Sequence, residues 1–172
     1  IWNSLKGKKS VGIIGEDAET GIIRVAKAKG VVGAVTPVTN PVVTPMCNAM
    51  FALKGQNAII VAPHPRTEGV NRYVVGLFRQ ELKRLGLPED LVQTIEKSSI
   101  EATNALMHSV DVVVATGGAG MVKSAYSSGK PALGVGPGNV QVILDRQVDL
   151  EDAIPKIING RIFDNGIICS GE

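Results

Sequence analysis

Short apolar segments rich in Val, Ile and Ala alternate with segments of helical periodicity at least four times along this chain. The apolar segments cover residues 30–35, 57–62, 111–115 and 131–136. Continuous apolar runs of this length predict strands that are buried on both faces. Because strands that alternate with helices form parallel sheets, the pattern predicts an α/β fold in which helices cover both faces of a parallel sheet.

The composition supports one domain of this kind and argues against several functional classes. The 172 residues are 44% hydrophobic but only 3% aromatic, as expected for a core of Val, Ile, Ala and Leu. A net charge of +2 with dispersed Lys and Arg does not predict nucleic-acid binding. No apolar run reaches about 18 residues, so we expect no membrane contact. Cys47 and Cys169 lie far apart in the sequence, and a reducing cytoplasm is the expected location.

A β-hairpin is predicted near the start of the chain. Apolar runs at residues 11–14 and 21–26 flank a polar stretch at 16–20, which is the pattern of two strands joined by a turn. Two interpretations of this hairpin are open: a surface arm, or a ribbon through which copies of the chain associate.

Capping residues predict where helices begin. Thr44 suits an N-cap and precedes Pro45, which suits the first helical position. Ser98 and Glu101 have the spacing of a capping box. The last helix, residues 149–158, begins with an Asp cap. A further long helix is expected to bury one face, which consists of Val70, Tyr73, Val74, Leu77, Phe78, Leu82 and Leu85.

Three unusual loops, at residues 36–41, 63–66 and 116–120, follow predicted strands. Because ligands of parallel α/β sheets bind at the carboxyl ends of the strands, these loops predict a binding site there. The Gly-rich loop at 116–120 precedes a helix, a geometry that receives phosphates or dinucleotides. Residues 134–138 contain three glycines, but Pro137 interrupts them, so they do not form a dinucleotide fingerprint. These glycines suit close packing of the backbone against a flat ligand.

Several candidate residues have two open interpretations. Arg66, close to His64, suits contact with a ribose or its 2′-phosphate, but a solvated position at a helix start also explains it. Lys123 has the same two interpretations. Cys169 is either a nucleophile or a buried inert thiol, and no His or basic residue lies close to it in sequence. His108, at the end of a helix, is expected to have a structural role, as is Cys47.

Six motifs resemble those of one enzyme family. They cover residues 36–41, 63–66, 104–108, 115–123, 126–131 and 164–169. In this order they resemble the CoA-acylating aldehyde dehydrogenases, a group within the aldehyde dehydrogenase superfamily, over about residues 10–172. The succinate-semialdehyde and sulfoacetaldehyde dehydrogenases (acylating) are the most similar members. The resemblance implies an α/β fold with a Rossmann-like parallel sheet, helices on both faces and a β-hairpin arm, as in a fragment of the cofactor-binding domain of that superfamily.

The resemblance implies a covalent reaction at Cys169. This cysteine would attack an aldehyde, a hydride would pass to NADP or NAD, and the resulting thioester would give its acyl group to coenzyme A. Hydrolytic relatives hold the oxyanion with an Asn side chain, and the matching position is Thr39, with Asn40 next to it. Those relatives carry a Glu base where this chain has Gly134, which favours transfer to a thiol over transfer to water. Arg66 slightly favours NADP over NAD.

The same resemblance assigns a cofactor site and involves no metal. The implied cofactor-binding residues are Thr36, Pro37, Val38, His64, Pro65, Arg66, Ser99, Thr116, Gly117, Gly118, Met121, Gly134 and Val135. The Lys and Glu that hold the adenosine ribose in many relatives are replaced within residues 62–65, so the choice between NAD and NADP stays open. The expected partners are a small aldehyde, coenzyme A and further copies of the chain.

The resemblance divides the chain into three parts. Residues 1–28 form the hairpin or arm, residues 29–162 the dinucleotide-binding domain, and residues 163–172 the start of a catalytic domain. Since the chain begins without Met and ends soon after Cys169, we expect an internal piece of a longer enzyme that binds dinucleotide but does not turn over alone. The alternatives are a non-catalytic dinucleotide-binding module and a sugar- or phosphate-binding domain of unrelated function.

Overall fold

The computed structural model describes residues 1–138 and 140–167. The strands are β1 (Gly12–Asp17), β2 (Ile22–Ala26), β3 (Val31–Val35), β4 (Ala58–Ala62), β5 (Val92–Thr94), β6 (Val112–Thr116) and β7 (Ala132–Val135). The α-helices are α1 (Trp2–Leu5), α2 (Val43–Lys54), α3 (Glu68–Arg84), α4 (Ile100–Ser109), α5 (Ala119–Tyr126) and α6 (Leu150–Ile162). Short 3-10 helices lie at Pro65–Thr67, Glu89–Leu91 and Phe163–Gly166.

Five strands form one parallel sheet in the order β5-β4-β3-β6-β7, which confirms the predicted α/β fold. The central strand β3 pairs with β4 and β6, so that Val35 lies opposite both Ala62 and Ala115. At the other end of the sheet, the Asp111 carboxylate accepts a hydrogen bond of 2.7 Å from the Val31 amide and joins the starts of β3 and β6. The strand ends are therefore level, and the loops that follow them emerge side by side.

Apolar side chains from both faces of the sheet form two core clusters. The first, between the sheet and helices α2 and α3, consists of Val32, Ala34, Ala49, Ala52, Ile59, Val61, Val75, Leu82 and Val92. The second, which includes residues of α4 and α5, consists of Val35, Ala62, Leu106, Met107, Val110, Val113, Ala115 and Ala125. Small and β-branched residues dominate both clusters, as the composition predicts for a sheet that is covered on both faces.

Two of the predicted helix starts are wrong. Helix α2 begins at Val43, before the predicted cap Thr44, whose amide already donates to the Asn40 carbonyl at 3.2 Å. Helix α4 is capped by Ser99, not Ser98, because the Ser99 hydroxyl accepts from the Ala102 amide at 3.0 Å. The predicted Asp cap of the last helix is confirmed: the Asp149 carboxylate accepts from the Glu151 amide at 3.0 Å.

The predicted buried face of helix α3 is partly wrong. Val74 and Leu82 are buried as expected, together with Val75. However, Tyr73 is 69% exposed and Asn71 is fully buried. The apolar pattern indicates that the helix is amphipathic, but the sheet and the neighbouring loop decide which residues are covered.

The N-terminal hairpin is confirmed. Strands β1 and β2 are antiparallel, with Gly12 opposite Ala26 and Asp17 opposite Ile22. The Asp17 carboxylate accepts from the amides of Thr20 and Glu19, and hydrogen bonds from the Thr20 side chain and amide, with a smaller contribution from Glu19, lower the pKa of Asp17.

The described residues up to 135 form one compact unit, and those from 136 onward form a second. The predicted division at residues 28 and 162 stays a prediction. None of the helices in the described ranges has both the length and the hydrophobicity that a bilayer-spanning helix needs.

Candidate functional site

A cavity of about 330 Å³ lies at the carboxyl ends of β3, β4 and β6. It is lined by Val35, Thr36, Pro37, Pro63, His64, Pro65, Ser98, Ser99, Ile100, Thr103, Thr116, Gly117, Gly118 and Met121. The three loops selected from the sequence therefore meet at one cavity. Placement of the 36–41 and 116–120 loops on opposite faces of the sheet would have favoured the sugar- or phosphate-binding alternative, and residues of both loops instead line this one cavity.

Most of the predicted cofactor-binding residues line this cavity. They are Thr36, Pro37, His64, Pro65, Ser99, Thr116, Gly117, Gly118 and Met121. Val38, Arg66, Gly134 and Val135 are not among its lining residues in the described part of the chain. Their contact with a cofactor stays a prediction.

The Gly-rich turn leads into helix α5 as the sequence predicts. Gly118 is the N-cap of α5, and the Gly117 amide donates to the Val135 carbonyl at 3.1 Å. A Cβ atom added at Gly118 would have open space within 4 Å among the described residues. The backbone at the start of α5 therefore faces free volume, where a phosphate would also gain from the helix dipole.

The Ser98 hydroxyl is a functional candidate that the sequence did not single out. Its oxygen is buried and has no hydrogen-bond partner within the described residues, although Ser98 lines the cavity. The Ser98 amide is held by the Glu68 carboxylate at 2.6 Å. Buried hydroxyls are normally paired, so an unpaired one at a cavity suits a polar group of a ligand such as a ribose hydroxyl. The Ser98 hydroxyl on this side of the cavity therefore fits a dinucleotide.

His64 and Arg66 shape the turn after β4. The Nδ1 atom of His64 accepts a hydrogen bond of 3.2 Å from the Arg66 amide, which caps the 3-10 helix at Pro65–Thr67. This bond assigns the proton of a neutral ring to Nε2. The residue Arg66 is exposed, and so is Lys123. Both sequence interpretations of each residue stay predictions, because an exposed cation is compatible with solvent or with a ligand phosphate.

Gly134 has a packing role that the sequence did not indicate. A Cβ atom at this position would lie 2.7 Å from Cγ1 of Val122 and 3.0 Å from Cε2 of Tyr126. The Tyr126 hydroxyl donates to the Gly134 carbonyl at 3.3 Å and accepts from the Gly134 amide at 3.2 Å. Helix α5 thus approaches strand β7 as closely as only glycine permits.

The predicted nucleophile Cys169 lies outside the described residues. Cys47 is buried in α2, and burial raises the pKa of its thiol, so the thiolate is disfavoured there. His108 Nδ1 lies 3.0 Å from the Ser128 carbonyl and joins α4 to the loop after α5. These contacts support the structural roles predicted for Cys47 and His108.

Residues 3–172 match the aldehyde dehydrogenase family. The chain is 61% identical over 172 residues to the succinate-semialdehyde dehydrogenase (acetylating) of Clostridium kluyveri, covering 100% of this chain and 38% of that protein. It is 49% identical to a sulfoacetaldehyde dehydrogenase of an Acholeplasma species, covering 100% of this chain and 36% of that protein. The chain therefore spans about two fifths of the length of these relatives.

Two solved structures of aldehyde dehydrogenases share the fold of this chain, at 41% and 44% sequence identity. An acetylating aldehyde dehydrogenase from Geobacillus thermoglucosidasius superposes with a TM-score of 0.92 at 41% identity, covering 100% of this chain and 38% of that one. A propionaldehyde dehydrogenase from Rhodopseudomonas palustris, with bound CoA and an acylated cysteine, superposes with a TM-score of 0.79 at 44% identity. That match covers 85% of this chain and 34% of the other.

Proposed function

Because the chain belongs to the aldehyde dehydrogenase family, we propose that it forms the dinucleotide-binding part of a CoA-acylating aldehyde dehydrogenase and contributes its nucleophile. The observation that carries the proposal is the cavity at the ends of β3, β4 and β6, where the predicted cofactor loops meet. The reaction converts an aldehyde, coenzyme A and NAD(P)+ to an acyl-CoA and NAD(P)H. The CoA and the acylated cysteine of the Rhodopseudomonas palustris relative support this chemistry.

The covalent steps are assigned to Cys169. Its thiolate forms a carbon–sulfur bond with the aldehyde carbonyl carbon, and Thr39 or Asn40 donates a hydrogen bond to the resulting oxyanion. A bound nicotinamide dinucleotide supplies the acceptor for the hydride that leaves this carbon. The product on the protein is a thioester at Cys169. The CoA thiol then forms the new thioester bond, the bond to Cys169 breaks, and the CoA thiol proton passes to solvent.

Gly134 supports acyl transfer to CoA over hydrolysis. The resemblance places a Glu general base at this position in hydrolytic relatives, and this chain has no side chain there. The close approach of Val122 and Tyr126 also leaves no room for a Cβ atom at this position. Water needs a base to attack a thioester, whereas a CoA thiol is closer to ionisation and needs less assistance.

Three finer assignments concern the dinucleotide, the aldehyde and self-association of the chain. Arg66, which follows the lining residue Pro65, slightly favours NADP over NAD, because a guanidinium matches phosphate oxygens. Succinate semialdehyde is the first aldehyde to test and sulfoacetaldehyde the second, in the order of identity to the two relatives. The β1–β2 hairpin exposes Ile22, Ile23 and Val25, which suits self-association in the cytoplasm.

The test uses the complete protein and two cysteine variants. The wild type is incubated with succinate semialdehyde, CoA and either dinucleotide, and acyl-CoA and reduced dinucleotide are both quantified. Cys169→Ala is expected to abolish formation of both products, because no thioester can form. Cys47→Ala is the matched control and is expected to retain activity, since Cys47 is a buried side chain of α2. Equal product formation by wild type and Cys169→Ala refutes the assignment.

A non-catalytic dinucleotide-binding module is the second candidate. It is favoured by one observation: among the described residues, those that line the cavity all lie between Val35 and Met121. Calorimetric titration of the chain with NADP and NAD tests this candidate. Binding without turnover of aldehydes by the complete protein supports the module, and no heat with either dinucleotide removes both candidates.

A further inference from the structure

Asn71 is a fully buried polar residue in the first turns of helix α3, where the apolar pattern predicts no such residue. Its Oδ1 atom accepts a hydrogen bond of 3.2 Å from the Thr36 hydroxyl. Its Nδ2 group donates to the carbonyls of Pro41 and Thr67, each at 3.2 Å. Two carbonyl acceptors on one side and a hydroxyl donor on the other define the orientation of the amide.

Thr36 and Pro41 are the first and last residues of the loop after β3. One Asn71 side chain therefore holds both ends of this loop. Thr36 lines the cavity together with Pro37, and the same loop carries Thr39 and Asn40. The loop has further bonds at its ends: the Thr36 amide and hydroxyl both donate to the Ala62 carbonyl, and the Asn40 carbonyl accepts from the Thr44 amide. Asn71 adds one bond at each end of the loop, and both of these bonds come from helix α3.

The third bond of Asn71 connects this loop to the other wall of the cavity. The Thr67 carbonyl belongs to the 3-10 helix after β4, and the Thr67 hydroxyl donates to the His64 carbonyl at 3.0 Å. His64 and Pro65 line the same cavity and follow β4, the strand that neighbours β3. The Asn71 amide therefore joins these two walls, the loops after β3 and β4, through bonds that are buried or partly buried.

We propose that Asn71 is a positioning residue that aligns the two walls of the cavity and thereby sets dinucleotide affinity and the placement of Thr39 and Asn40. This inference rests on the function proposed above. A Leu at this position has a similar volume but removes the side-chain partner of the Pro41 carbonyl and leaves the Thr36 hydroxyl with the Ala62 carbonyl alone, at 3.5 Å. An unpaired buried polar group destabilises the protein, so the 36–41 loop lowers the free energy by moving to where its polar groups can bind water.

The experiment compares Asn71→Leu with Asn57→Leu in the complete protein. Asn57 is a matched control, because its side chain also holds a loop: it accepts from the amides of Lys29 and Gly30 at the amino end of the sheet, away from the cavity. In hydrogen exchange without ligand, the backbone amides within residues 37–44, where Pro37 and Pro41 have none, are expected to exchange about tenfold faster or more in Asn71→Leu than in the control.

Dinucleotide binding is the second readout. Asn71→Leu is expected to raise the Kd for the better dinucleotide about tenfold and to lower kcat as well, while Asn57→Leu changes each less than about twofold after correction for folded protein. Unchanged exchange of residues 37–44 together with unchanged Kd in Asn71→Leu overturns the proposal.

A milder variant covers the case in which Asn71→Leu does not fold. Asn71→Ser retains a hydroxyl and is expected to show the same two effects at smaller size, and a folded Asn71→Ser with wild-type exchange and Kd overturns the proposal. Failure of the proposed function has a different signature: the wild type then binds neither NAD nor NADP, while the exchange of residues 37–44 still responds to Asn71.

Discussion

Gly134→Ala is predicted to destabilise the chain, although alanine usually stabilises a strand relative to glycine. The added Cβ would lie 2.7 Å from Val122 Cγ1 and 3.0 Å from a Tyr126 ring carbon, both closer than van der Waals contact allows. Relief of such overpacking costs about 1–3 kcal/mol. If the ring of Tyr126 moves, its two hydrogen bonds to the Gly134 backbone weaken, at about 1 kcal/mol each. The expected total loss is about 1–3 kcal/mol if the ring stays in place, and up to about 5 kcal/mol if both hydrogen bonds are lost.

Urea unfolding of wild type, Gly134→Ala, Val122→Ala and the double variant Gly134→Ala/Val122→Ala measures this effect. The double variant is expected to recover part of the loss, because the smaller side chain removes the shortest contact. Gly76→Ala in helix α3 is the matched control: its Cβ would meet open space within 4 Å among the described residues, so the variant is expected to gain up to about 1 kcal/mol. A wild-type midpoint for Gly134→Ala would refute the reasoning, as would a double variant less stable than the sum of the single variants.

Three further predictions concern the site and the hairpin. Ser98→Ala is expected to weaken dinucleotide binding by about 1 kcal/mol while leaving urea stability unchanged or higher, because the hydroxyl has no partner within the described residues; equal affinity by calorimetry would show that no ligand uses it. Arg66→Ala is expected to raise the Kd for NADP more than the Kd for NAD, and equal losses in paired titrations would argue against a 2′-phosphate contact. The folded-state pKa of Asp17 is lowered, so its contribution to hairpin stability is present above the unfolded pKa of about 3.9 and is lost as pH falls through the folded pKa. Amide shifts of Glu19 and Thr20 in an NMR pH titration check this, and an unshifted midpoint would contradict it.

Local patterns in the sequence were sufficient to locate the strands and the binding region. Runs such as 57–62 and 111–115 are recognisable because burial on both faces demands continuous apolar residues, and both became parallel strands of the central sheet. The position of the three loops followed from a general property of parallel sheets, since strands that point the same way bring their ends to one edge. The identity of the family came from motifs, which carry residue order and not contact geometry.

Contacts between distant residues required the tertiary structure. Asn71 interrupts the apolar pattern of its helix, and its burial makes sense only because Thr36 and Pro41, about 30 positions earlier, supply its partners. Tyr73 looks like a core residue by spacing but is 69% exposed, because the sheet covers a different face of α3. The α5–β7 approach at Gly134 is likewise invisible in a glycine-rich segment. Periodicity reports which residues can be buried together, whereas the packing of one element against another decides which of them are.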